Sequence, residues 1–317
     1  MVRIVVGDEI AGEVKARLGA TTTQARILEV DQDGRGASLS EADGVLRWGL
    51  SGAGLRHVLE TAPGLRWLHS VSAGVEHLPL DDLRRRDIVV TNAAGIFAIP
   101  IAEWVMMAML MIAKRAHAMH DAQLGRRWSN DLRLAELMDK SVLVLGAGGI
   151  GQEIARRAVA FGMHVWGANR SGRPVEPFER IVAGDEWREL LPDADFVVVA
   201  LPLTAATRSL IGAPELGRMK GGAALLNVGR GATVDEAALL DALRSGVLGA
   251  AAIDAWTEEP LLPDHPAWQT PNLLIWPHHS GDSPENTRRG LDLFVQNLER
   301  FEQDRELINV VDLAAGY

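Results

Sequence analysis

The sequence predicts an α/β protein of two doubly wound parallel-sheet domains, one inserted in the other. Three observations carry this. A glycine turn, Gly146-Ala147-Gly148-Gly149-Ile150-Gly151, follows the apolar run Val142–Leu145 and leads into a helical pattern. The turn begins at residue 146 of 317, so a second domain must be built partly from what precedes it, since typical domains run to ~100–150 residues. Both halves alternate short apolar runs with helix-length segments, the pattern of a parallel sheet covered on both faces.

The elements follow in order. Val2–Val6, Ala25–Val30, Gly44–Trp48, Arg66–Ser70 and Ile88–Thr91 read as strands of the first domain. Ile96–Ala113 is almost wholly apolar and 18 residues long, near the ~17–25 residues of a membrane span. Pro100 and Glu103 interrupt it, and a lone carboxylate in lipid is costly. It is expected to be a buried helix running on to Ala118. After the glycine turn, Ile154, Ala155, Ala158 and Val159 share one helix face. His164–Ala168, Phe196–Leu201, Ala223–Asn227, Ala250–Ile253 and Leu273–Ile275 complete the second sheet. Asp235 caps the helix that Gly246 ends. Ser283–Phe301 reads as an amphipathic helix returning to the first domain, with Leu291, Phe294, Val295, Leu298 and Phe301 on one face. The expected boundaries are 1–112 plus 285–317 for the first domain and 113–284 for the second.

Composition narrows the function. Hydrophobic residues make up 47% and charged residues 23%, as in a globular protein. With no cysteine, disulfides, thiolate metal ligands and a cysteine nucleophile are excluded. The net charge of −10 disfavours nucleic acid and anionic membranes as partners. The first residues lack the apolar core of a signal peptide, so a cytoplasmic location is expected. The short runs Arg84–Arg86 and Arg126–Arg127 read as solvated.

Strand, glycine turn and helix together point to a dinucleotide site. Gly146 permits the tight turn, Gly148 lets backbone approach a pyrophosphate, and Gly151 lets the helix pack on the strand. The amides of Gly149 and Ile150 open the helix, whose positive end meets the anion. The end of the next strand selects the cofactor. An NAD site carries Asp or Glu there. Here it is Asn169, with Arg170, Ser171 and Arg173 following. No carboxylate repels a 2′-phosphate, and the two arginines suit one. NADPH is expected over NADH, with Arg170 the main phosphate partner and Ser171 a hydroxyl donor; NAD use stays possible.

The chain resembles the D-isomer-specific 2-hydroxyacid dehydrogenases. The resemblance runs through Ser72-Ala73-Gly74-Val75, Thr91-Asn92, Ala102-Glu103, the glycine turn and Leu201-Pro202-Leu203-Thr204. It continues through Asn227-Val228-Gly229-Arg230-Gly231-Ala232-Thr233-Val234-Asp235, Asp254, Glu259-Pro260 and Pro277-His278. It implies a Rossmann cofactor domain inserted in a flavodoxin-like substrate domain, with substrate in the cleft between them. It implies catalysis by Arg230, Glu259 and His278, and a substrate carboxylate held by Arg230 and the amides of Ala73 and Gly74. It also implies cofactor contacts from Leu201, Pro202, Thr207, Val228, Gly229, Asp254, His278 and Gly281. Family members form dimers through the cofactor domain, and Leu132, Leu134, Leu137 and Met138 could supply an arm. No metal is implied.

The chemistry agrees. Reducing a 2-keto acid needs a fixed cation for the carboxylate and ketone, and arginine's planar fork binds two oxygens. It needs a proton donor for the developing alkoxide, for which an imidazolium is suited. A carboxylate beside the imidazole orients it and favours the protonated form. Arg230, Glu259 and His278 each follow a strand, at the carboxyl edge where open α/β sheets bind ligands. His279 competes with His278, but the family histidine directly follows proline. Where the family has an apolar or small residue next, this chain has His279. Trp48 ends a strand and is read as a pocket wall, against the alternative of a core residue. His77 follows the Gly74 loop and could line the cleft, while His57 and His69 read as surface or packing residues.

A corepressor-like or non-catalytic nicotinamide-binding protein is the alternative. The compact acidic chain and the complete trio favour an enzyme. Formate dehydrogenase has Gln at the position of Glu259. Glyoxylate, hydroxypyruvate, pyruvate and larger keto acids all remain open as substrates.

Overall fold

A computed structural model describes residues 1–21, 23–75 and 77–314. The chain forms two units, residues 1–97 with 283–317 and residues 98–282. The last three positions of the expected 285–317 segment lie outside the described residues.

In the first unit the order is β1 (Val2–Gly7), α1 (Asp8–Leu18), β2 (Ala25–Val30), β3 (Gly44–Arg47), α2 (Gly52–Thr61), β4 (Trp67–Ser70), α3 (Leu80–Arg85) and β5 (Val89–Thr91). All pairs are parallel, in the order β2-β1-β3-β4-β5. This is the flavodoxin-like order. Side chains alternate between the faces. Ile4, Val6, Leu46 and Trp67 face α1 and the C-terminal helix. Val5, Val45 and Leu68 face Leu55, Val58 and Leu83 of α2 and α3. Ser51 caps α2, its hydroxyl accepting from the Gly54 amide at 2.9 Å.

In the second unit come α4 (Ala98–Ala113), α5 (Ala116–Leu124), β6 (Ser141–Leu145), α6 (Gly149–Ala160), β7 (His164–Asn169), β8 (Arg180–Ala183) and β9 (Phe196–Val199). They are followed by α7 (Ala213–Arg218), β10 (Ala224–Asn227), α8 (Glu236–Ser245), β11 (Ala250–Ile253) and β12 (Leu273–Ile275). The sheet order is β12-β11-β10-β9-β6-β7-β8. That is the Rossmann order extended by one strand, with the switch point between β6 and β9. Asp235 caps α8 and Gly246 ends it at φ 75°, as the sequence predicts. The chain returns to the first unit in α9 (Glu285–Glu302). Its Leu291, Phe294 and Leu298 are fully buried, and Phe294 stacks on Trp67 at 5.5 Å between centroids.

Four details depart from what the sequence predicts. The expected 96–118 helix is broken, because Arg115 sits at φ 49° between α4 and α5. Helix α4 packs on α6, so the first boundary falls after 97 rather than 112. Strand β8 has no counterpart among the expected strands, since its four residues, Arg-Ile-Val-Ala, alternate too briefly to register. Leu137 is 3% exposed and packs inside, whereas Leu134 and Met138 are exposed. Among the described residues no helix is long and apolar enough to cross a membrane.

Candidate active site

The glycine turn divides its three tasks as its chemistry requires. Gly146 has φ 108°, and a Cβ there would lie 2.5 Å from the Ala200 carbonyl oxygen. A Cβ on Gly151 would strike the Gly146 carbonyl, so the helix meets the strand without a side chain between them. A Cβ on Gly148 would meet nothing within 4 Å. That open face lies at the N-terminus of α6, where among the described residues no side chain caps the amides of Gly149, Ile150 and Gly151. The cradle fits a pyrophosphate.

Asn169 ends β7, beside β6. Its side chain organises the loop that follows. Oδ1 accepts from the Ser171 amide at 3.1 Å, and Nδ2 donates to the Arg173 carbonyl at 2.8 Å. Ser171 Oγ lies 3.4 Å from Asn169 Oδ1 and accepts from the Arg173 amide at 3.3 Å. The loop therefore holds its own shape and leaves Arg170, Ser171 and Arg173 exposed.

The loops after β9 and β10 interlock. Val228 donates to the Val199 carbonyl at 3.0 Å. A Cβ on Gly229 would lie 2.6 Å from the Leu201 carbonyl oxygen. Pro202 begins a turn that Thr207 staples. The Thr207 hydroxyl donates to the Pro202 carbonyl at 2.7 Å and accepts from the Thr204 amide at 2.8 Å.

Arg230 lies on the loop that leaves β10. Asn227 is 1% exposed. Its side chain accepts from the Gly229 amide at 3.0 Å and donates to the Arg230 carbonyl at 3.1 Å. The Thr233 hydroxyl donates to the same carbonyl at 2.6 Å. The guanidinium donates to the Gly229 carbonyl at 3.1 Å. On the far side, a Cβ on Gly231 would run into the Trp256–Thr257 backbone. The arginine loop is thus pressed against the loop that carries Glu259.

Glu259 and His278 meet. His278 Nδ1 lies 2.8 Å from Glu259 Oε2 and 3.1 Å from Oε1. Oε1 also accepts from the Trp256 amide at 2.8 Å. A carboxylate only accepts, so Nδ1 carries the hydrogen and Nε2 is the nitrogen left to exchange a proton. His278 has φ 52°, a left-handed backbone that needs support. Asp254 gives it. The Asp254 carbonyl accepts from the His278 amide at 2.8 Å, and its own amide donates to the Asn227 carbonyl at 3.0 Å. Its carboxylate, 2% exposed, accepts from the His279 amide at 2.8 Å, the Ser280 amide at 3.1 Å and the Ser280 hydroxyl. Gly281 follows in the same loop. His279 points elsewhere, with Nε2 3.1 Å from Asp282 and its side chain 64% exposed.

Arg230, Glu259 and His278 therefore leave adjacent strands of one sheet, β10, β11 and β12, tied by hydrogen bonds between their ends. Residues 106–280 match the family model described as D-isomer specific 2-hydroxyacid dehydrogenase, NAD binding domain.

The chain belongs to the D-isomer specific 2-hydroxyacid dehydrogenase family. It is an oxidoreductase with a nicotinamide dinucleotide domain of Rossmann type. A glyoxylate reductase of Aeropyrum pernix is 35% identical over 268 residues, covering 80% of this chain and 78% of that protein. A glyoxylate/hydroxypyruvate reductase B of Salmonella newport is 34% identical over 299 residues, covering 92% and 90%. A D-isomer specific 2-hydroxyacid dehydrogenase from Xanthobacter autotrophicus Py2, solved with NADPH and MES, superposes with a TM-score of 0.87 at 29% identity, covering 100% of both chains.

In the first unit of this dehydrogenase the loop after β4 turns its carbonyls inward. Asn92 Nδ2 donates to the Ala73 carbonyl at 2.7 Å, and the Ser72 hydroxyl donates to the Gly74 carbonyl at 2.8 Å. The Ala93 amide donates to the Ser72 carbonyl at 3.1 Å. Among the described residues the amides of Ala73 and Gly74 meet no acceptor. His77 Nε2 lies 3.4 Å from Ser72 Oγ, at the edge of this loop. Trp48 packs with the α1 and α9 core, its ring 3.3 Å from where a Gly290 Cβ would sit. The ring is partly buried, packed against that core on one side. Asn227 and Ser280 carry no expected role in the sequence. An asparagine two residues before a glycine at a strand end is the signal that could have marked the first.

Proposed function

We propose that the protein is a cytoplasmic reductase of small 2-keto acids, using NADPH to form the D-2-hydroxy acid, with Arg230, Glu259 and His278 as its catalytic groups. The His278–Glu259 pair beside the Arg230 loop carries this reading. The bound nicotinamide supplies the hydride. Arg230 holds the carboxylate and polarises the ketone. His278 Nε2 delivers the proton to the developing alkoxide, while Glu259 fixes the ring through Nδ1 and favours the imidazolium. Ala73 and Gly74 offer two amides to the carboxylate.

The preference for NADPH is supported by the loop after β7, which places two arginines and no carboxylate between 169 and 175. The NADPH-bound Xanthobacter relative agrees with it. The glyoxylate and hydroxypyruvate reductases among the relatives support a short substrate. A screen of 2-keto acids with each reduced cofactor, followed by absorbance at the nicotinamide band and chiral analysis of the product, tests the reading. No turnover with any keto acid overturns it.

A homodimer fits the segment that follows α4. Leu124 is 70% exposed, Trp128 96%, Leu134 50% and Met138 62%, a density of bare apolar side chains that marks an interface. Trp128→Ser is expected to yield a monomer by light scattering; a monomeric wild type removes the proposal.

A further inference from the structure

Glu259 stands on the long connection between β11 and β12, residues 254–272, which contains a single 3₁₀ turn at Pro266–Gln269. Thr257, Glu258, Glu259 and Pro260 are all exposed. An exposed connection of this kind does not fix a side chain by itself. Yet Glu259 Oε2 lies 2.8 Å from His278 Nδ1. The hold on this segment comes from outside it.

Helix α8 supplies that hold. Glu236 is its first residue, directly after the Asp235 cap. Glu236 Oε2 accepts from the Thr257 amide at 3.1 Å. Its Oε1 lies 3.7 Å from His265 Nε2. His265 Nδ1 accepts from the Ala267 amide at 3.3 Å. That nitrogen is therefore bare, and the hydrogen of the ring sits on Nε2, toward the carboxylate. The His265 ring meets Trp256 edge-on, with centroids 5.9 Å apart, and Trp256 is 5% exposed. One carboxylate thus faces the connection on both sides of Glu259, at Thr257 and at His265. The Trp256 amide, next to Thr257, donates to Glu259 Oε1 at 2.8 Å, so fixing Thr257 fixes the donor that aims Glu259. A carboxylate in a first helical turn ordinarily serves the helix itself. The bond to the Thr257 amide gives this one a second task.

We propose that Glu236 is a positioning residue for the reaction: it ties the Thr257 amide to α8 and so holds Glu259 against His278. It acts through Glu259 and not on the reacting atoms. The Arg230 loop runs into the same helix start, and Gly231 lies against the Trp256–Thr257 backbone. The tie therefore sets the arginine loop and the glutamate loop in one register. This rests on the reading of Glu259 as the partner of His278 in a reductase, and it deepens that reading.

Steady-state kinetics with NADPH and glyoxylate or hydroxypyruvate test it, on wild type, Glu236→Ala, Glu236→Gln, Glu259→Gln and the Glu236→Ala/Glu259→Gln double variant. Asp235 still caps α8 in each. Glu236→Ala is expected to lower kcat by about 10–100-fold, the cost of a displaced catalytic group. The KM for NADPH should stay within about twofold. Glu236→Gln keeps an acceptor for the Thr257 amide and should recover most of the rate. In the Glu259→Gln background the same Glu236→Ala change should cost about twofold or less, because the group it positions is gone. Hydrogen exchange gives a second readout. The Trp256 amide, the donor to Glu259, should exchange about tenfold faster in Glu236→Ala. An unchanged kcat in Glu236→Ala overturns the proposal, as does a loss equally large in the Glu259→Gln background. A Glu236→Gln as slow as Glu236→Ala assigns the effect to charge at the helix start and overturns it too. Unchanged exchange at Trp256 overturns it with or without turnover. If wild type reduces neither keto acid, or Glu259→Gln alone runs at the wild-type rate, the reading of the site fails on its own, and the exchange measurement still decides the tie.

Discussion

The carboxyl edges of the two sheets are built alike and finished differently. In the second unit the side chains of four polar residues behind β10, β11 and β12 are bonded to neighbouring loops, while the indole N–H of Trp256 in the same region is buried without a partner among the described residues. Asn227, Thr233, Asp254 and Ser280 are all buried, and all are bonded to the loops they support. In the first unit, among the described residues, two buried nitrogens on titratable side chains lack a partner. They are Arg47 Nε and His69 Nε2, in adjacent central strands. A satisfied network holds catalytic groups in one geometry and lets a residue such as His278 keep a strained backbone. An unsatisfied group costs stability and gives function only where a ligand answers it.

The test with the largest effect breaks the pre-set edge. His278→Ala should lower kcat by about 10²–10⁴, the scale of general acid catalysis, with little change in NADPH affinity. His279→Ala, whose side chain faces Asp282 and solvent, should stay near wild type. Single-turnover absorbance and NADPH fluorescence titration separate the two. The reverse ranking would move the catalytic role to the neighbour.

The unsatisfied His69 gives the next effect. His69 is fully buried, with Nδ1 2.8 Å from the Thr91 hydroxyl, and that hydroxyl also accepts from Trp67 Nε1 at 2.9 Å. Desolvation pushes its pKa from 6.5 down to about 4. The unfolded chain takes up a proton near 6.5 that the folded chain refuses until about 4. The contribution to stability is whole at neutral pH and is lost as pH falls through that interval. The loss comes to about 3 kcal/mol at the acid end. Urea unfolding at pH 7.5 and near pH 4 should show His69→Phe losing less stability on acidification than wild type, by that order. Equal losses would mean His69 titrates normally.

A smaller effect sharpens the contrast at the loop after β7, whose shape is held by hydrogen bonds through Asn169. Arg170→Ala should lower the NADPH-to-NADH ratio of kcat/KM by about 10–100-fold, the scale of one charge-assisted contact. Asn169→Asp should move the ratio in the same direction by adding a carboxylate at the end of β7. A wild type that favours NADH, or a ratio untouched by Arg170→Ala, contradicts the assignment.

Much of the molecule is legible in its sequence. The strands are short apolar runs because both faces of each sheet are covered. The glycine turn is legible because each constraint is local, a positive φ at Gly146 and a carbonyl against Gly151. Arg230, Glu259 and His278 stand out by residue type at successive strand ends. The features that are not legible depend on contacts between distant parts of the chain. The break falls at Arg115, whose backbone is left-handed, while periodicity alone continues through it.

The sequence by itself determined two parallel α/β sheets, the dinucleotide turn and the chemical identity of the residues at the carboxyl edge, because these follow from local pattern and from what each side chain can do. Only the tertiary structure decided which of the adjacent histidines meets Glu259, that Asp254 holds the loop beneath it, that Trp48 packs one side of its ring on the α1 and α9 core, and that His69 is buried with Nε2 unpartnered among the described residues. Those outcomes depend on which groups from distant strands share a space closed to water. There, a hydrogen bond made or missed is worth far more than in solvent.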